Sequence, residues 1–168
     1  MLGYIQGAIR QLLGMAVVAV AFVLAAGLRE PLGNWFATYW TSVPVQFSWM
    51  FAFLAAFLAL LILGMILVAL FYKRSRVLTR VPHADEILGG ILAVVLALAI
   101  LAVLVFALDS FYRYRGIPIS GGDVGWMRSL HGAIDDSAIA SALRVSFIPF
   151  LVTALGPLLP EAVRQLVP

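Results

Sequence analysis

Two long stretches without a formal charge, tied together by a short basic hinge, limit what this chain can fold into more than any other feature. From Pro31 to Tyr72 there is no Asp, Glu, Lys or Arg, and from Phe47 onward the stretch is almost purely Phe, Leu, Ala, Ile, Met and Val. Ile87 to Leu108 is likewise uncharged, and between the two lies Lys73-Arg74-Ser75-Arg76-Val77-Leu78-Thr79-Arg80-Val81-Pro82-His83-Ala84-Asp85-Glu86. A helix rises about 1.5 Å per residue, and a hydrocarbon core of roughly 30 Å needs about 20 apolar residues. Each stretch can therefore cross a bilayer, with the hinge as the loop between two spans. Only 11% of the 168 residues are charged and 64% are hydrophobic, against roughly 25% charged in an average soluble domain. The expected class is an all-α integral membrane protein.

A first apolar segment precedes these two. Its uncharged part, Gln11 to Leu28, is 18 residues long, enough to span when the Gln6 and Arg10 end snorkels at the interface. A cleaved signal peptide is the rival reading, because the stretch follows Arg10 and ends in Ala25-Ala26-Gly27. The small residues Gly3, Gly7, Gly14, Ala21 and Ala25 favour a retained span, since such a stripe lets helices approach closely.

Glu30-Pro31 is expected to end that helix. Leu32, Trp35, Phe36, Tyr39 and Trp40 then form one apolar face, and Trp49 follows Pro44. This pattern predicts an amphipathic helix over about 31–42 lying at the membrane interface, with Trp35, Tyr39, Trp40 and Trp49 as its aromatic belt. The expected spans are about 4–28, 47–72 and 87–108. The second should pack through Ala52, Ala55, Ala56 and Ala59. The third carries Gly89, Ala93 and Ala97 at four-residue intervals, a repeated small-residue pattern that predicts contact with another helix.

Asp85 reads as the cap or first-turn acid of the third span, and His83 beside it is too little for a metal site. The expected organisation is a membrane domain over 1–115 and a non-cytoplasmic loop and tail over 116–168. In that tail His131 and Asp135 are spaced to share a helix face, but two candidate ligands do not close a metal site, so a solvated face is expected. Val145 to Pro160 is apolar but interrupted by Pro149, Gly156 and Pro157. It predicts a helical, amphipathic or re-entrant segment.

Basic residues mark the cytoplasmic side. Lys73, Arg74, Arg76 and Arg80 sit in the hinge, whereas the loop from Arg29 to Gln46 holds only Arg29. The hinge and the N-terminus are therefore expected inside and the Trp-rich loop and tail outside; Arg113 and Arg115, just after the third span, count in the other direction. Because topology explains the basic excess, a nucleic-acid partner is not expected. No cysteine is present, which removes thiolate chemistry and disulfides. No cofactor or metal is expected, and no catalytic set converges.

The segment Gly3-Tyr4-Ile5-Gln6-Gly7-Ala8-Ile9-Arg10-Gln11-Leu12-Leu13-Gly14 resembles the Gly-aromatic-x-x-Gly-x-x-Arg-Glu/Gln segment of the colicin V production protein family. Asp85-Glu86-Ile87-Leu88-Gly89-Gly90 is similar to that family's Asp-Arg-x-x-Gly entry to its last span, with Asp85 and Gly89 in register, and Pro149 to Glu161 is loosely similar to its Pro- and Leu-rich end. The resemblance implies a bacterial inner-membrane, multi-pass protein required for production of the toxin colicin V and associated with envelope homeostasis. Family members usually have a further apolar helix before the Gly-aromatic segment, so the resemblance implies either a start lying upstream of Met1 or a lost span. Ile5, Gln6 and Glu86 stand where basic residues are common, and Val94 to Ala97 replaces a usual Arg-Gly pair. Roles tied to those basic residues do not carry over.

Taken with the residues themselves, this leads to a non-enzymatic membrane protein whose partners are the bilayer and other membrane proteins or further copies of the chain. A small transporter or channel subunit is the alternative, suggested by the interrupted run around Pro149 and Gly156-Pro157. Its spans hold almost no polar groups between their ends, which counts against transport.

Overall fold

The computed structural model describes residues 8–42, 44–71, 82–112 and 125–164, with the side chains at 8, 82–86, 162 and 164 left aside. The described backbone is helical nearly throughout, the outcome that long apolar runs dictate when each backbone polar group must be satisfied within its own segment. In chain order the helices are α1 (Ala8–Tyr39), α2 (Val45–Phe71), α3 (Pro82–Tyr112), α4 (Gly125–Asp135), α5 (Ala138–Leu158) and a single turn, α6 (Glu161–Arg164). Four of them, α1, α2, α3 and α5, are long and apolar enough to cross a membrane.

Two sequence expectations are corrected. Pro31 does not end the first helix: α1 runs unbroken for 32 residues to Tyr39, about 48 Å at the helical rise. Proline in a helix interior forfeits the bond to the carbonyl four residues back, here Gly27, and the following segment is held by tertiary contacts instead. Trp49 Nε1 donates to Asn34 Oδ1 at 2.8 Å. Gly33 lies so close to α2 that a Cβ there would stand 2.8 Å from the Trp49 Cα. The helix expected over 31–42 is thus the distal end of α1, and Arg29, counted as a loop residue, is a buried side chain within it.

The second correction is a fourth long helix. In the sequence the apolar run starts at Val145 because Arg144 interrupts it, yet the helical stretch begins at Ala138. Pro149 is accommodated just after a π-helical turn, Leu143–Phe147, in which the Ile148 N–H bonds back to the Leu143 carbonyl. A wide turn of this kind adds one residue to the helix and alters the direction of the side chains near it. The short amphipathic helix of the fold is α4, with Met127 buried and Trp126 and Leu130 exposed.

Among the spans the core is built from aromatic and small residues. Phe22, Phe53 and Phe106 meet edge to face, with centroids 5.7–6.0 Å apart, and each such pair contributes about 0.5–1.5 kcal/mol. Close approach comes from small residues, as expected where lipid removes the hydrophobic drive between helices. Gly14 is buried where α1 meets Leu96 of α3 and Met65 of α2. The same apolar cluster includes Ala140, Leu143, Ile148 and Val152 of α5 and Val163 of α6, so the C-terminal helices share the core of the spans.

Candidate functional site

An aspartate near the C-terminal end of an apolar helix is doubly disfavoured. It meets the negative end of the helix dipole, and its charge loses water. Asp109 of α3 has this position and is fully buried. Arg144 compensates it with two bonds, Nε to Oδ2 at 2.7 Å and Nη2 to Oδ1 at 2.9 Å, the bidentate fork that planar guanidinium and carboxylate groups favour. His131 Nε2 stands 3.0 Å from Oδ1. An ionised carboxylate only accepts, so Nε2 carries the proton.

The network continues outward. Arg144 Nη1 donates to Asp135 Oδ1 at 2.7 Å, and the Asp135 side chain is half exposed. Tyr112, one turn beyond Asp109, stacks on the His131 ring with centroids 4.8 Å apart. Three elements converge here: α3 supplies Asp109 and Tyr112, α4 supplies His131 and Asp135, and α5 supplies Arg144 from its π turn. The solvated face expected for His131 and Asp135 is corrected in part: His131 is drawn in by Asp109, 22 positions away, while Asp135 stays half exposed and pairs with Arg144. Neighbouring Ser110 is also buried and donates to the Ala107 carbonyl at 2.7 Å.

Chemically, the arrangement is a closed ionic clasp. Asp109 accepts from three donors, and Arg144 spans a buried and an exposed carboxylate. Among the described residues, no group of three or more His, Cys, Asp or Glu side chains is placed to hold a metal ion. Asp109 and Arg144 were not singled out in the sequence. The available signal was one acid and one base, each at or inside an apolar stretch where a lone charge is expensive.

Of the residues marked in the sequence, Gly3, Gly7, Lys73, Arg74, Arg76 and Arg80 lie outside the described residues, as does the Asp85 side chain. Arg10 is half-buried near the start of α1; on α3, Gly89 is buried, Ala93 half-buried and Ala97 exposed. Among the described residues, Arg10, Gly89, Ala93 and Ala97 form none of the clasp's bonds. Trp35, Tyr39 and Trp40 are exposed at the far end of α1. Trp35 packs edge to face with Tyr39, with centroids 5.1 Å apart. Half-buried Trp49 faces Asn34.

A family model described as "Colicin V production protein" matches residues 1–128. No curated protein and no solved structure matches the chain. The matched region holds α1, α2, α3 and the first residues of α4, and so includes Asp109 but not its partners His131 and Arg144.

Proposed function

The chain belongs to the colicin V production protein family, and from that premise we propose that it is a non-enzymatic, multi-pass protein of the inner membrane. In this reading it supports colicin V production and envelope homeostasis through helix packing and partner contacts. The observation that carries the reading is the ionic clasp. Its bonds run between α3, α4 and α5, binding α4 and α5 to the three-helix bundle, which is the economy of a scaffold. The hinge and N-terminus face the cytoplasm, and the ends of the helices that carry the clasp face the opposite side.

Loss of function in a deletion strain tests this. The wild-type chain should restore both colicin V release and survival in bile salt, and Arg144→Met should rescue poorly in step with a lower level of folded protein. A deletion strain with normal release and normal survival would overturn the proposal.

One observation favours a transport subunit as the second reading: an ionisable pair lies in helices long enough to span, with its arginine on a π turn. Against it, Phe106 joins Phe22 and Phe53 to fill the interior one turn away. Solute flux through proteoliposomes of the wild-type chain, abolished by Asp109→Asn, would establish transport in place of the scaffold. Absence of flux would leave the scaffold standing.

A further inference from the structure

Away from the ionic clasp, an open apolar groove of about 380 Å³ lies between α1 and α2. Its floor is Val17, Ala21 and Gly64, and its walls include Val20, Leu24 and Leu63. Within the groove the two helices approach most closely where a Cβ on Gly64 would come 2.5 Å from Val17 Cγ1. This contact sets the depth of the groove.

The lining runs along α1 from Leu13 to Leu24, about 16 Å at the helical rise. That is close to half of a hydrocarbon core of roughly 30 Å, the depth of a single leaflet. One end of this apolar track is charged. Arg10, Val17 and Leu24 recur at seven-residue intervals, so Arg10 stands on the same side of α1, one turn beyond Leu13. Among the described residues Arg10 makes no ion pair or hydrogen bond.

We infer that this groove binds one anionic glycerophospholipid, with an acyl chain lying between α1 and α2 and the phosphate at Arg10. The two halves of the site match the two halves of such a molecule. A lined apolar channel of one-leaflet length takes the chain, and a guanidinium, which suits phosphate oxygens in its fork geometry, takes the head. A second helix in the groove would leave the Arg10 charge unmatched. The site is independent of the scaffold reading.

Native mass spectrometry of the full chain in mild detergent tests the inference, with dioleoyl phosphatidylglycerol and dioleoyl phosphatidylethanolamine as competing probes. The wild type should retain one phosphatidylglycerol in preference. Arg10→Gln should cut that preference about fivefold, the worth of one interfacial cation, while chain binding persists. Val20→Trp and, separately, Leu63→Trp should fill the groove and abolish retention of both lipids. Ile91→Trp, on an exposed position of α3, should change nothing, and helical content by circular dichroism should match the wild type in all four variants. Equal retention of the two lipids in the wild type would overturn the inference. So would retention that survives both tryptophan substitutions. A lipid-free dimer that Val20→Trp dissociates would assign the groove to a second copy of the chain instead.

Discussion

Asp109 and Arg144, 35 positions apart in the chain, are joined by a two-pronged ion pair whose carboxylate is fully buried and whose guanidinium is nearly so. Neither charge is tolerable alone in this setting. Together they allow an apolar helix to carry an arginine and a span to end on an aspartate.

Breaking one side of this pair should therefore cost more than removing both. Arg144→Met leaves the Asp109 charge buried with His131 alone, and a loss of about 3–5 kcal/mol is expected. The double variant Asp109→Leu/Arg144→Met should recover most of it, because a well-packed apolar pair often replaces a buried ion pair at little cost. Reversible unfolding in mixed micelles measures both. A double variant no more stable than Arg144→Met would show that the pair does not act as a unit.

The glycines separate into those under another helix and those facing open space. Gly33→Ala drives a methyl into Trp49, and Gly64→Ala drives one into Val17. Each should cost about 1–3 kcal/mol through overpacking. Gly132→Ala, with nothing within 4 Å in α4, should instead stabilise by about 0.5–1 kcal/mol from helix propensity. The same unfolding assay decides, and a uniform response at all three would mean that the close approaches do not hold the bundle.

Much of this bundle is legible in the sequence, and the parts that are not share one cause. Uncharged runs longer than a bilayer predict α2 and α3 because nothing local argues against a helix there. Pro31 and Arg144 each read as a boundary, since a local rule sees only a missing donor or a stray charge. In both cases a distant partner overrides it: Trp49, held at Asn34 and Gly33, carries the chain past Pro31, and Asp109 admits Arg144. His131 reads as solvated for the same reason. Pairings across 22 and 35 positions leave no periodic trace in a single sequence.

Tryptophan depth offers a test of how the ends of the bundle meet the bilayer. In single-tryptophan variants, quenchers carried near the lipid headgroup should act strongly on Trp35 and Trp126, which are exposed. They should act weakly on Trp49, which is half-buried and bonded to Asn34. Stronger quenching of Trp126 by a deep acyl-chain quencher would place α4 in the hydrocarbon core and contradict the headgroup-level position that its amphipathic pattern predicts.

If the chain acts through contacts with other membrane proteins or further copies of itself, as proposed, the exposed side of α3 offers a place to test it. Ala97 and Val94 are exposed, and Gly90 has open space beside it. With no native cysteine in the chain, Ala97→Cys should form an intermolecular disulfide in membranes under mild oxidation, while Ala102→Cys, fully buried, should not. Equal crosslinking at both positions would count against a specific contact.

The most direct test of the four-helix account is the sidedness of three cysteines introduced singly into intact cells: Ser75→Cys in the hinge, Ser120→Cys between α3 and α4, and Pro168→Cys at the end of the chain. If α5 crosses the membrane, a membrane-impermeant thiol reagent should label Ser120→Cys and spare both Ser75→Cys and Pro168→Cys. Labelling of Pro168→Cys together with Ser120→Cys would show that α5 stays on one face, and the clasp would then be a surface contact and not the seam of a four-span bundle.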